Sequence, residues 1–462
     1  MLYKILIISK YSQKKWIVRG MSDLNALIKK IHARWILDSR GNPTIETEIF
    51  VNVQDLFARA AVPSGASTGS YEALELRDNT TEFKGKGVKQ AIQNVNEKIA
   101  PKLLNMNVLD QNSIDKTMLE LDSTPNKANL GANAILSVSL AVAKVAALVK
   151  KIPLYQYLFE LSHTISADKY IIPIPMANII NGGKHAGNNL AIQEFMILPI
   201  NFETFHRAIQ ATSEIYHSLK ELLKTKYGKT AINVGDEGGF APNINTTQEA
   251  FEILLSAVEN ANYTPKTDII FAIDAAANEF YTKGIYQIDG KELKPGQLID
   301  YYQNLVKSYP IGSIEDPFEE NDFENTAELT DIVGSNVMIV GDDLFVSQEK
   351  RLQMGIDNKA ANSILLKVNQ CGSLSEAIST SKLATFRDYK VIVSHRSGET
   401  EDTFIADLAV GLNGGLIKTG ASARSERTCK YNQLLRIEEE LVNKSVYAGT
   451  KLDQGKLLSM NI

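Results

Sequence analysis

From Asn25 to about residue 73, apolar and polar positions alternate, with Ile45, Thr47, Ile49 and Val51 set against polar neighbours. That two-residue period predicts an antiparallel meander of half-buried strands. The period then lengthens to that of a helix over Val88 to Leu103 and again over Ile114 to Leu121, while Leu130 to Val149 is apolar almost throughout. Asn133, Ser137, Ser139 and Lys144 interrupt this last run, so it reads as a buried helix and not as a membrane span. Strands followed by helices predict an α+β domain. A polar stretch from Ser162 to Lys169, followed by Pro173 and Pro175, marks a boundary near residue 165.

Beyond it, short apolar runs alternate with helical stretches such as Phe202 to Tyr227, Thr247 to Ala261 and Ser373 to Phe386. Four runs end on residues able to bind a cation or move a proton: FAID at Asp274, GSIED at Glu315, MIVGDD at Asp342 and SILLK at Lys367. VIVSHRSG continues the series at His395 to Ser397, and GLIKTG carries Lys418; the successive gaps are 41, 27, 25, 28 and 23 residues. Each gap holds a strand and a returning helix, and unbroken Val/Ile/Leu runs belong to parallel strands covered on both faces. In a closed (β/α) barrel, all the strand ends meet at one mouth. Acidic residues also follow strands as helix caps, a role that suits Asp316 and Asp343.

The chain of 462 residues exceeds what one core organises, so two domains are expected. Net charge is −5, which argues against dedicated nucleic-acid or membrane-surface binding. Cys371 and Cys429 are the only cysteines, too few for a disulfide framework and consistent with a cytoplasmic setting. Residues 1–23 form a basic leader with a short apolar patch, Ile5 to Ile8, which reads as a disordered extension.

Three carboxylates meeting from neighbouring strands, Asp274, Glu315 and Asp342, repel one another unless a cation lies between them, and all-oxygen ligands favour Mg²⁺ or Mn²⁺. Lys367, set between that site and Lys418, is expected to have a lowered pKa and to act as a base, the alternative being a salt bridge to one of the carboxylates. Ser64 to Gly69, Asn181 to Gly187 and Gly235 to Gly239 read as glycine-rich loops around a ligand.

At these residues the sequence resembles the enolase family from about residue 24 onward. The resemblance is carried by DSRGNPT at 38–44, PSGASTG at 63–69, NGGKHAG at 181–187, QEFM at 193–196, GDEGG at 235–239 and SIEDP at 313–317. GDDLF at 341–345, LLKVNQ at 365–370 and SHRSGETEDT at 394–403 continue it, followed by IKTG, ARSER and NQLLRIEEE. The resemblance implies an α+β capping domain over 24–164 and, over 165–462, a (β/α)8-type barrel with irregular first strands. It implies reversible dehydration of 2-phosphoglycerate to phosphoenolpyruvate in glycolysis, with two Mg²⁺ ions per site. Asp274, Glu315, Asp342 and Ser67 take the metal positions, Lys367 the base and Glu237 the acid. Lys418, Arg396, Ser397, His185, Gln193, Glu194 and His395 take substrate positions.

A homodimer is implied, paired through Glu46 and Arg436, with octamers in some members; so is a cytoplasmic enzyme with a possible cell-surface pool. Some members bind plasminogen or an RNA-degradation assembly, which makes a scaffold role the competing reading. Ala277-Asn278 and Ser422 depart from the family pattern.

Overall fold

The computed structural model describes residues 25–65, 69–163, 169–450 and 457, without the side chains of 184 and 185. The predicted leader and the predicted boundary at 164/165 lie outside the described residues.

Strands β1 (Ile28–Leu37), β2 (Pro43–Val51) and β3 (Phe57–Ala61) form an antiparallel sheet in that order. On β2 the side chains of Ile45, Thr47, Ile49 and Val51 are buried while Glu46, Glu48 and Phe50 lie on the more open face, the alternation expected when one face meets the core. Against this sheet packs the helix Ala132–Lys150. It is long and apolar enough to cross a membrane, yet most of it is buried inside the fold. Its polar interruptions are all engaged. Asn133 exchanges two hydrogen bonds with the Leu76 backbone, the Ser137 hydroxyl meets that of Thr47 at 2.7 Å, Ser139 accepts from Gln111 and from Leu374 N, and Lys144 pairs with Asp402. Buried polar groups satisfied in this way belong to a protein core. The stretch predicted as one helix from Val88 to Leu103 is instead two short α-helical turns around a π-helical turn, Asn94–Ile99.

Eight further strands close a barrel: β4 (Ile174–Asn181), β5 (Glu194–Pro199), β6 (Ile269–Asp274), β7 (Ile311–Glu315), β8 (Met338–Gly341), β9 (Ser363–Leu366), β10 (Lys390–Ser394) and β11 (Leu416–Lys418). The pairings from β6 through β11 and on to β4 are parallel. β5 runs antiparallel to both neighbours, with Glu194 opposite Asn181 on one side and Asp274 on the other. Reversal means that β5 begins where its neighbours end. Its first residue, Glu194, therefore joins Asp274 at the mouth.

Loops of the first domain reach across that mouth. Ser64 and Gly398 exchange backbone hydrogen bonds at 2.7 and 2.9 Å, Glu72 pairs with Arg396 at 2.8 Å, and Lys144 pairs with Asp402 at 2.6 Å. Asp402 also accepts from Ala61 N and Phe404 N. Burial acts to raise the Asp402 pKa, but Lys144 and these donors pull it below the ordinary carboxylate value.

Replacing Lys144 with Met leaves the Asp402 carboxylate enclosed without its cation. The expected loss is about 2 kcal/mol, below the range for a fully enclosed pair because the Lys144 side chain keeps 21% of its exposure. A folded pKa below the unfolded one gives stability that is complete above pH ~4 and disappears as the pH falls through the folded value. Thermal unfolding of wild type and Lys144→Met should therefore differ at neutral pH and converge in acid; a constant gap would sink this account of the pair.

Candidate active site

At the carboxyl ends of the strands, one cavity is lined by Gln193, Glu194, Glu237, Asp274, Asp342, Lys367, His395, Arg396, Ser397 and Lys418. Glu315, fully buried, lies against it through Lys418. The sequence-predicted residues are thus brought together, save Ser67 and the side chain of His185, which lie outside the described residues.

The Lys418 ammonium stands among three carboxylates, 2.8 Å from Glu315, 3.0 Å from Asp274 and 3.1 Å from Glu194. Burial works to lower its pKa, but the surrounding acids raise it well above the ordinary lysine value. Lys367 makes a close ion pair with Asp342. Here the expectation of a lowered lysine pKa is corrected: burial, Arg396 and Lys418 do push it down, yet Asp342 and Glu315 outweigh them and the net shift is upward. Asp342 shifts the opposite way, its burial being overcome mainly by Lys367. Glu315 is raised well above the usual range by burial and by Asp274.

Among the described residues, Asp316, Asp342 and Asp343 each offer one oxygen within 4.8 Å of the others, a group that shares only Asp342 with the predicted trio of Asp274, Glu315 and Asp342. Asp316 sits just past β7 at φ +40°, a left-handed conformation that Asp tolerates better than most residues, and accepts from Asp342 N at 2.9 Å and Asp343 N at 2.8 Å. It thereby fixes the turn that aims Asp342. Asn278, one of the departures from the family pattern, donates to Asp343 at 3.1 Å and accepts from Glu320 N at 2.9 Å.

Across the mouth from Lys367 lies a second carboxylate pair. Glu237, in the loop after Gly235, accepts from Asn178 Nδ2 at 3.0 Å and faces His395 Nε2 at 3.5 Å. Burial, then the charge of Glu237, raises the Glu194 pKa well above the ordinary value although Lys418 opposes the shift. Gly420, at φ +79°, keeps this arm in place: a Cβ there would stand 2.6 Å from the Glu237 carbonyl oxygen and 2.9 Å from Arg427 Cδ.

Glu194, Glu237, Asp274, Glu315 and Asp342 are all buried, and their nearest ammonium partners are Lys367 and Lys418. An oxygen-only donor set with this excess of negative charge fits a hard divalent cation. Arg396, held by Glu72, and Ser397 supply the anion-binding side of the cavity. Glu72, Asn178, Gln370 and Arg427 escaped the sequence reading. Gln370 donates to Asp342 at 2.9 Å, and its Oε1 accepts from Ser347, whose hydroxyl oxygen takes the Lys367 N–H.

Comparison with known proteins matches residues 169–456 to the family model described as enolase, C-terminal TIM barrel domain, and residues 28–158 to enolase, N-terminal domain. The enolase of Thermococcus kodakarensis is 55% identical over 426 residues, covering 92% of this chain and 97% of the relative. That of Methanocaldococcus jannaschii is 56% identical over 422 residues, covering 91% and 97%. The enolase of Methanothrix thermoacetophila is 53% identical over 424 residues, covering 92% and 98%.

Burial and the charge of Glu237 raise the Glu194 pKa, so its carboxyl holds its proton to a higher pH than an ordinary glutamate does. In infrared difference spectra taken through a pH titration, the carboxyl band that Glu194→Gln lacks is expected to persist above the ordinary carboxylate range. Loss of that band within the ordinary range would sink the electrostatic picture of this arm.

Proposed function

The chain belongs to the enolase family, and on that premise we propose the role of each residue in the reversible dehydration of 2-phosphoglycerate to phosphoenolpyruvate and water. The difficulty of the reaction is electrostatic. The proton at C2 is adjacent to a carboxylate, so its removal adds a second negative charge to a group that already carries one. Asp274, Glu315, Asp342 and Ser67 would hold two Mg²⁺ ions, which would supply the opposing positive charge.

Lys367, beside Asp342 at the end of β9, takes the C2 proton. Lys418 faces the substrate carboxylate, and the acids that hold its ammonium charged are the reason it serves as a fixed cation and not as a base. Glu237 gives a proton to the departing C3 hydroxyl. Glu194, its pKa raised by burial and by Glu237, lies beside the acid, and Gln193 and His185 complete the substrate's surroundings. Arg396 and Ser397 hold the phosphate, for which Arg396 exchanges its ion pair with Glu72.

The observation that supports this reading most is positional. In the ring of eight strands, β9, which leads into Lys367, and β5, which begins at Glu194, lie four steps apart and so face each other. Glu194, whose pKa is raised in part by the acid Glu237, thus stands across the mouth from the base. We read residues up to 163 as the capping domain and those from 169 as the catalytic one. A homodimer is the assembly we favour; Glu46 already pairs with Arg34 at 2.6 Å, so Arg436 of a second copy would extend an existing ion pair. A cytoplasmic enzyme is consistent with the reducing setting that the two unpaired thiols suit.

Lys367→Ala should abolish exchange of the C2 proton with solvent, whereas Glu237→Gln should keep exchange while overall turnover falls, each by roughly a hundredfold or more. Chelation of divalent ions should stop formation of phosphoenolpyruvate, read by its ultraviolet absorbance, and added Mg²⁺ should restore it. Exchange persisting at the wild-type rate in Lys367→Ala would remove the base assignment. Equal loss of exchange and turnover in Glu237→Gln would remove the acid.

A further inference from the structure

Arg427 lies in the first turn of the helix Ser425–Leu441 and has no exposed surface. Both of its terminal amino groups are fully spent. One donates to His395 Nδ1 at 2.7 Å and to the Arg396 carbonyl at 2.6 Å; the other donates to the Ser397 carbonyl at 2.6 Å and the Asp236 carbonyl at 3.0 Å. One guanidinium therefore ties the loop carrying Glu237 to the loop carrying His395, Arg396 and Ser397. Three residues along the same helix, the buried Lys430 donates to Glu399 Oε2 at 2.8 Å and to the Thr400 carbonyl at 2.6 Å, bracing the far side of the second loop.

A guanidinium has only donors. Its contact with Nδ1 is possible only if that nitrogen offers its lone pair, which obliges the single imidazole proton to sit on Nε2. Nε2 faces Glu237 Oε2 at 3.5 Å, a separation open to tightening when substrate is bound. The same Oε2 already accepts from Asn178 Nδ2. An oxygen addressed by two N–H groups is a poor place for a proton, so the acid's proton belongs on the other oxygen.

We propose that Arg427 is a positioning residue that locks His395 as the neutral Nε2–H tautomer and, through His395, assigns the transferable proton of Glu237 to Oε1. The inference rests on the reading of Glu237 as the acid. Burial, assisted by the charge of Arg427, also lowers the His395 pKa to about 4, in keeping with a neutral ring. Arg427 touches no reacting atom; it acts on which oxygen of Glu237 is the donor.

The test uses the full-length, Mg²⁺-supplemented protein with ¹⁵N-labelled histidine. The chain holds 6 histidines, and His395→Asn identifies the His395 signals in long-range proton–nitrogen spectra. Wild type is expected to show a protonated Nε2 and an unprotonated Nδ1. Arg427→Lys keeps the charge without the fork. It should give mixed tautomers and lower overall turnover about tenfold, part of the roughly hundredfold or more that a placed general acid supplies, while C2 exchange stays within about threefold.

A wild-type spectrum with the proton on Nδ1 would overturn the proposal even if the variant failed to fold. So would an Arg427→Lys protein that keeps the single tautomer and loses exchange and turnover equally, the pattern of a merely structural role. Glu237→Gln run in parallel separates the two levels. Should it lose exchange and turnover alike while Arg427→Lys still scrambles the tautomer, the acid assignment is what has failed. Should it behave as an acid knock-out while Arg427→Lys leaves tautomer and turnover intact, the positioning role is what has failed.

Discussion

Five buried carboxylates crowded at one end of a barrel are the constraint on which the rest of this protein depends. Two unit charges about 4 Å apart interact by roughly 4 kcal/mol at an effective dielectric of about 20, several times what an exposed ion pair contributes. Glu194, Asp274, Glu315 and Asp342 survive burial because Lys418 touches the first three and Lys367 the last. Such a cluster is poised, not relaxed. Each lysine is held charged by its neighbours, so any positive charge added among the carboxylates would act on the ammonium groups as well. The acid–base chemistry and the cation affinity are therefore one property of one cluster.

Much of this could be read from the chain before any fold was known. Parallel strands are apolar along their length, so the polar residue that ends each one stands out, and Asp274, Glu315, Asp342, Lys367, His395 and Lys418 were visible for that reason. The β1–β3 sheet was visible through the alternation on Ile45 to Val51. Glu194 is a different case. It opens its strand, and only the antiparallel reversal of β5 carries it to the mouth, a pairing that no local pattern encodes.

The charge state of Lys367 was misjudged for a related reason. Periodicity can bring Lys367 and Asp342 onto adjacent strands, but it says nothing of how close the two side chains come, and that contact reverses the sign of the shift. Glu72 was not singled out, and Gln370 and Arg427 stood within LLKVNQ and ARSER without a role. Each lies on a helix or a loop where a polar residue is ordinary, and becomes significant only through a partner tens to hundreds of positions away. The helical stretch after Val88 shows the reverse limit: apolar spacing predicted helix, and the chain keeps its helical course, but the π-helical turn at Asn94–Ile99, which packs against β1, is not encoded in that spacing.

The capping domain follows from the same electrostatics. Charges placed at an open barrel mouth would be screened by water, and screening would weaken the field that the reaction needs. Loops from the first domain close that route with contacts of two kinds. The Ser64–Gly398 backbone bridge and the Lys144–Asp402 pair are made between groups that take no part in the chemistry, so they hold the cap whatever the site contains. Glu72 is made differently, because it holds Arg396, the residue best suited to grip a phosphate. An incoming anion must compete with Glu72 for the guanidinium, and a displaced Glu72 carboxylate is left near Gln370 Nε2, which already reaches toward it and toward Asp342. Arg396 on one side of the mouth is thereby linked, through Glu72 and Gln370, to the carboxylate that pairs with Lys367 on the other.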